Sequence, residues 1–308
     1  MSKRCYGLRV KLLNIYQIFG LLEDLTPESL VKAMEKELYV ADEQLAMAVY
    51  LALKLEKPLL IEGEPGCGKT EVAKVLSKLL NTELIRLQCY EGITASQALY
   101  EWDYPRQLIN IRLLESVKSP DEISAEIFSE KYLLRRPLLA ALLYDGPNPP
   151  VLLIDEVDRS DEEFEGFLLE FLAEFQVTIP ELGTITAKKK PVVIITSNRT
   201  REVGDGLRRR CLYLYVTYPS PEKEKRILSL KVPNLSPKLS DEIVAFVQRI
   251  RQINELNKKP GISETIDWAN ALQVIGVSEI NQHSIATTLS CLIKNEDDLR
   301  LIRDLGIV

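Results

Sequence analysis

Apolar residues along this chain alternate between short unbroken runs and longer stretches at helical spacing. Pro58-Leu59-Leu60-Ile61 is such a run, closed by a glycine-rich segment. A run that is short, bounded by breakers and not alternating predicts a strand buried on both faces. Residues 70–80 follow with Val72, Val75, Leu76, Leu79 and Leu80. That i, i+3, i+4, i+7, i+8 spacing is the signature of an amphipathic helix. The same reading predicts strands over 84–87, 151–154, 192–196 and 211–216, with helices over 42–55 and 161–175. Thr26-Pro27-Glu28 opens an earlier helix with proline in its first turn. Strands alternating with helices argue for a parallel sheet covered on both faces.

After Tyr218-Pro219-Ser220-Pro221 the pattern changes. Residues 222–230, 241–254, 264–274, 278–294 and 296–305 all read as helices, and no further strand is convincing. The expected organisation is an α/β domain over 25–219 with a five-stranded parallel sheet, then a smaller all-helical domain over 220–308. Residues 1–24 read as a loosely attached extension. Lys3, Arg4, Arg9 and Lys11 precede a weak apolar run there, but Asn14 and Gln17 interrupt it and no small-x-small cleavage site follows.

Composition narrows the function. The chain has 308 residues, 46% hydrophobic and 27% charged, which excludes a disordered or collagenous chain. The net charge of −6 makes broad coating of nucleic acid unlikely. Five cysteines with no CxxC pair argue against a disulfide framework or a zinc site and fit a reducing cytoplasm. His283 is the single histidine, read as a surface or packing residue. No window has eighteen uninterrupted apolar residues, so no membrane span is expected.

The chemistry concentrates in Gly63-Glu64-Pro65-Gly66-Cys67-Gly68-Lys69-Thr70, a match to GxxxxGK[ST] between a buried strand and an amphipathic helix. Successive N–H groups of such a loop form an anion nest, and the helix N-terminus adds a positive dipole. Lys69 would supply a point charge to β- and γ-phosphates, Thr70 a hydroxyl to Mg²⁺, and Glu71 completes the expected nucleotide-binding stretch. Cys67 reads as a small residue tolerated in the loop, or as a redox-sensitive thiol with its pKa lowered near the helix N-terminus. Asp155-Glu156 closes the strand over 151–154. There Asp155 could hold the metal and Glu156 could orient the attacking water. Asn198, at the end of the next strand, could reach the γ-phosphate or the water. Leu207-Arg208-Arg209-Arg210-Cys211 offers an exposed basic patch, or a guanidinium finger for a neighbouring subunit, with Arg210 first and Arg209 second.

Taken together, the loop at 63–70, Asp155-Glu156, Asn198 and Arg209-Arg210, followed by a helical domain, resemble a P-loop NTPase of the AAA+ class. More narrowly, the chain resembles the MoxR family. Tyr39-Val40-Ala41-Asp42, Arg86-Leu87-Gln88-Cys89-Tyr90-Glu91-Gly92 and Ala98-Leu99-Tyr100-Glu101-Trp102 are similar to the branch associated with maturation of molybdenum-dependent carbon monoxide dehydrogenase. The resemblance spans about residues 28 to 275. It implies ATP and Mg²⁺ at subunit interfaces of a homo-oligomeric, hexameric ring. It also implies chaperone-like remodelling of a protein client, with a von Willebrand factor A domain partner.

One feature departs from that pattern, and a second adds to the α/β core. The stretch Gly261-Ile262-Ser263-Glu264-Thr265-Ile266 lacks the arginine that this class often carries over the nucleotide, and Arg226 is a candidate substitute. The distance from Thr70 to Asp155 also exceeds what one strand and two helices need. Tyr100-Glu101-Trp102-Asp103-Tyr104-Pro105-Arg106 falls in the excess and reads as an inserted hairpin near 99–113, as in the MoxR family, facing the ring pore or a client, or else packed by its aromatics against the second helix. Two other readings are a motor subunit of a nucleic-acid machine, of clamp-loader or restriction-translocase type, and a P-loop kinase. Net charge opposes the first; Glu156 and the arginines oppose the second.

Overall fold

The computed structural model describes residues 25–114 and 116–307; the extension over 1–24 lies outside the described residues. In chain order, α1 (Pro27–Lys36) and α2 (Glu43–Leu55) precede β1 (Leu59–Gly63), α3 (Lys69–Leu79) and β2 (Leu84–Gln88). Next come α4 (Ala95–Leu99), β3 (Tyr100–Trp102), α5 (Tyr104–Leu114), α6 (Pro120–Ile127), β4 (Leu133–Arg135) and α7 (Pro137–Leu143). β5 (Val151–Asp155), α8 (Glu162–Glu174), β6 (Gln176–Ile179), β7 (Gly183–Thr186), β8 (Val192–Ser197), α9 (Asp205–Arg210) and β9 (Leu212–Val216) follow. The rest of the described chain is helical: α10 (Pro221–Lys231), α11 (Pro237–Arg251), α12 (Ile262–Val274), α13 (Gln282–Leu292) and α14 (Glu296–Asp304).

The five expected strands form one parallel sheet in the order β2-β5-β8-β1-β9. β1 and β5 are buried at every position, as strands covered on both faces must be. Alternate residues feed opposite cores because the side-chain period of a strand is two. Leu59 and Ile61 pack with Val72, Val75 and Leu76 of α3, and with Leu30, Met34, Leu45 and Val49 of α1 and α2. Leu60, Leu152 and Ile154 pack on the other face with Phe164, Leu168 and Phe171 of α8 and Leu138 and Leu142 of α7. Register brings Gln88 opposite Asp155, and Glu62 opposite Ser197. The carboxyl ends of β1, β2, β5 and β8 therefore finish along one rim, where open parallel sheets bind ligands.

A third core belongs to the helices after β9. Trp268 is fully buried among Ile243, Val247, Leu272 and Leu289, and its indole N–H donates to Thr288 Oγ1 at 2.8 Å. Glu224 and Arg251 pair inside this region at 2.7 Å, with 0% and 5% of their side chains exposed. Thr265 donates to Glu224 at 2.8 Å, so the pair joins α10, α11 and α12. α11 starts at Pro237, earlier than its apolar spacing suggests. Ser236 caps it through Leu239 N, and proline occupies the first turn.

The excess chain between Thr70 and Asp155 is not a simple hairpin near 99–113. β3 and β4 pair antiparallel, Trp102 opposite Leu133, and α5 and α6 are carried between them. Trp102 is 7% exposed. Its ring meets Phe128 edge-on at 5.5 Å and packs with Tyr132, Leu139 and Ile179. Packing, rather than outward presentation, is what this tryptophan does. A second antiparallel ladder, β6 with β7, supplies that Ile179.

Trp102→Ala should therefore cost about 3–5 kcal/mol of stability, read by urea unfolding. Unchanged unfolding combined with a loss confined to partner binding would contradict the packing role.

Candidate functional site

The rim of the sheet opens on a cleft of about 530 Å³. Its floor is the loop from Pro65 to Gly68 with Lys69, Thr70 and Glu71 of α3. One wall carries Asp155, Glu156, Thr196 and Asn198, and another carries Lys223, Ile227 and Lys231 of α10 with Ile262 and Ile266 of α12. Leu38, Tyr39 and Val40 extend the apolar side.

Local chemistry explains the loop. A Cβ on Gly63 would lie 2.1 Å from the Val216 carbonyl oxygen, so only glycine fits where β1 and β9 end together. α3 begins at Gly68 with no side-chain cap, whereas α1, α2, α8, α10 and α11 are capped by Thr26, Asp42, Asp161, Ser220 and Ser236. The first-turn N–H groups of α3 thus keep no side-chain partner at the cleft, which is the arrangement that receives an anion. Lys69 is 6% exposed. Its ammonium donates to the carbonyls of Gly63 and Glu64, both at 2.7 Å. Burial lowers its pKa, opposed by nearby acids such as Asp158 and Asp155.

Asp155 is 2% exposed. Its Oδ1 accepts from Thr70 Oγ1 at 3.0 Å and from Thr196 Oγ1 at 2.5 Å, and its Oδ2 accepts from Arg86 at 2.6 Å. The Thr70 hydroxyl and the Asp155 carboxylate together are the hard oxygen donors that Mg²⁺ prefers, so this pair fits that ion. Glu156 holds a left-handed backbone at φ 55°, which aims its carboxylate back over the rim. There it accepts from Asn198 Nδ2 and Gln88 Nε2, both at 3.2 Å, and from Arg159 at 3.3 Å. Asn198 is itself placed by Asp158, whose buried carboxylate accepts from the N–H groups of Asn198 and Thr200 at 3.1 and 2.9 Å.

Lys69, Thr70, Asp155, Glu156 and Asn198 come together in one cleft. Arg209 and Arg210 do not. Both are exposed on α9, lie outside the cleft lining, and carry no ion pair among the described residues. Glu71 faces the cleft, but its carboxylate is drawn to Lys74 at 3.0 Å and Lys231 at 3.9 Å. Arg226 does not substitute for the missing arginine: it clasps Glu35 through both oxygens at 2.6 Å, away from this cleft. Of the α10 cations Lys223 and Lys231 do line the cleft, but Lys223 is paired with Asp42 at 2.7 Å and Lys231 lies 3.9 Å from Glu71. Cys67 is no activated thiol, since burial pushes its pKa up to about 11. Sequence reasoning missed Arg86, Gln88, Thr196 and Asp158 as site residues. The detectable signal for Gln88 was its place at the end of the strand beside Asp155.

Comparisons with known proteins identify the family. The family model described as "AAA domain (dynein-related subfamily)" matches residues 58–211. The uncharacterized protein YeaC of Bacillus subtilis is 25% identical over 257 residues, covering 79% of this chain and 70% of that protein. The chaperone MoxR1 of Mycobacterium tuberculosis is 24% identical over 200 residues, covering 63% of this chain and 45% of that protein. Among solved structures, a RuvB mutant of Thermotoga maritima gives a TM-score of 0.47 at 16% identity, covering 87% of this chain and 71% of that one. The RuvB Holliday junction branch migration motor of Thermotoga maritima gives 0.44 at 18% identity, covering 87% and 70%.

At neutral pH the Cys67 thiol should carry about 100-fold less thiolate than an exposed cysteine. Peptide mapping after iodoacetamide at pH 7.5 should find it unmodified. Rapid alkylation there would show that the loop opens or that the thiol is activated.

Proposed function

The chain belongs to the AAA domain family, dynein-related subfamily, and is an ATPase of that class; on that premise we propose that it is a MoxR-type remodelling chaperone working as a homo-oligomeric, hexameric ring. The observation that carries this reading is a split. Lys69, Thr70, Asp155, Glu156 and Asn198 share one cleft, while Arg209 and Arg210, with no ion pair among the described residues, stand outside it on the same chain. In this reading a second copy supplies the further cation that the transition state calls for.

In this reading the uncapped start of α3 and Lys69 bind the triphosphate of ATP. Thr70 and Asp155 would hold Mg²⁺, which when bound neutralises charge on the phosphate oxygens. Glu156 takes the proton of the attacking water and is aimed by Asn198, Gln88 and Arg159. Asn198 senses the γ-phosphate. Arg210 of the adjacent copy, with Arg209 beside it, stabilises the transition-state charge, a contribution worth about 10³–10⁵ in rate. The resemblance of residues 39–42, 86–92 and 98–102 to the branch associated with carbon monoxide dehydrogenase maturation supports a metalloenzyme as the client. It supports a von Willebrand factor A domain protein as the partner. Among the described residues no helix is long and apolar enough to cross a membrane.

Lys69→Ala should abolish nucleotide binding in calorimetry. Glu156→Gln should bind ATP yet lose about 10²-fold or more of turnover, and it should persist as an ATP-bound oligomer in size-exclusion chromatography. Fast turnover by that variant removes Glu156 from its role. Mixing Lys69→Ala with Arg210→Ala subunits, each inactive alone, should restore hydrolysis, because one contributes an intact finger and the other an intact loop. No recovery would show that the arginine does not act across subunits.

A further inference from the structure

α9 carries three consecutive arginines, and they are not equivalent. Arg209 and Arg210 are exposed, while Arg208 turns inward. Its guanidinium Nη2 donates to Glu62 Oε1 at 3.1 Å and to Oε2 at 3.4 Å. Glu62 is 1% exposed and also accepts from the Tyr213 hydroxyl at 2.9 Å. This is a buried carboxylate near the carboxyl end of β1, the strand that leads into the phosphate-binding loop. A buried carboxylate is expensive unless paired, and nothing in the cleft chemistry of the previous section uses it.

We propose that Glu62 and Arg208 are positioning residues that link the state of one subunit's phosphate loop to the placement of the arginines it offers to the next subunit; this rests on the reading of Arg210 as a finger acting across subunits. The connection is short. Lys69 Nζ donates to the carbonyl of Gly63, the residue directly after Glu62. An anion that competes for that ammonium loosens its hold on the Gly63–Glu64 peptide, one residue past Glu62. Glu62 grips Arg208, and the next two residues of the same helix turn are Arg209 and Arg210.

The pairing also has room to change. A full guanidinium–carboxylate fork uses two parallel N–H groups. Here Nη2 alone makes the contact, and the buried Nε of Arg208 has no partner. A small shift of β1 against α9 can convert the single-pronged contact into the two-pronged one. Leu207, 1% exposed in the core, fixes the base of α9, so that shift re-aims its exposed arginines rather than displacing the helix.

Subunit mixing separates this role from a structural one. Glu62→Gln and Arg208→Gln should bind ATP with unchanged affinity, keep their oligomeric state, and lose about 10²-fold in kcat, the scale set by misplacing a catalytic group by an ångström. Arg208→Lys, which keeps the charge, should recover part of that loss. Mixed with Lys69→Ala subunits, Glu62→Gln and Arg208→Gln should regain hydrolysis, since their own loops are intact and Lys69→Ala subunits bring correctly placed fingers. The Arg210→Ala and Lys69→Ala mixture serves as the reference. Recovery there without recovery for either Gln variant overturns the linkage while leaving the finger intact. No recovery even in the reference mixture overturns the finger itself. Turnover of Arg208→Gln equal to that of the unaltered chain also overturns the linkage, and does so even if Glu62→Gln fails to fold.

Discussion

An ammonium group sits inside this protein with no carboxylate paired to it among the described residues. Lys69 is held by two main-chain carbonyls at 2.7 Å, and burial disfavours its charge. Dipoles offset only part of the desolvation of a cation, so the arrangement is tolerable chiefly because an anion can reach it. Everything nearby serves that constraint. β1 must end at a glycine to pass the Val216 carbonyl, the loop must turn through left-handed glycines at 66 and 68, and α3 must start without a side-chain cap. The sheet then has to place acids close enough to steady the lysine but not close enough to neutralise it. Register does this by ending β5 beside β2 and β8 at the same rim.

Electrostatic order in the cleft follows from how each acid is engaged. Asp155 is satisfied on both oxygens, by Thr70 and Thr196 on one and Arg86 on the other. Its carboxylate is therefore held in one orientation, which is the property the proposed metal-ligand role asks of it. Glu156 is held more loosely, at 3.2–3.3 Å by three partners from three different segments. A group proposed to take a proton needs that looser grip, because its partners must tolerate both charge states. Arg86 and Gln88 alternate on β2 with buried Ile85 and Leu87. The sheet edge thus serves the site with the side chains that its pleat turns away from the core.

Much of this was legible in the sequence, and the reasons are local. Leu59–Ile61, Val151–Ile154 and Val192–Thr196 read as buried strands because both of their faces are covered. The glycine–lysine loop could be placed between strand and helix by spacing alone. β3, β4, β6 and β7 were not legible: each is three or four residues long, too short for a period to register. Their pairing depends on partners distant in sequence, Trp102 with Leu133 for instance. Arg226 looked like a spare cation because sequence cannot show that Glu35, far upstream, already clasps it. Glu62 was hidden for the opposite reason, since a single acid in an apolar run reads as the end of a strand.

The absence of an arginine over the cleft from residues 261–266 changes how the helical region meets the nucleotide-binding loop. The contact is made by main chain. The carbonyl of Gly66 accepts from Ile262 N at 2.9 Å and Ser263 N at 3.4 Å, and a Cβ on Gly261 would lie 2.8 Å from Gly66 Cα. Side chains α10 could offer are already committed, Lys223 to Asp42 at 2.7 Å and Lys231 towards Glu71 at 3.9 Å. An arginine reaching a phosphate responds to charge; a backbone latch responds to the shape of the loop. Behind that latch, Glu224, Arg251 and Thr265 lock α10, α11 and α12 together in a buried network. Such a network costs several kcal/mol to break by removing one partner, so it holds these three helices together. The turn at Gly66 is therefore tied to the helical region through two N–H groups rather than through a cation over the cleft.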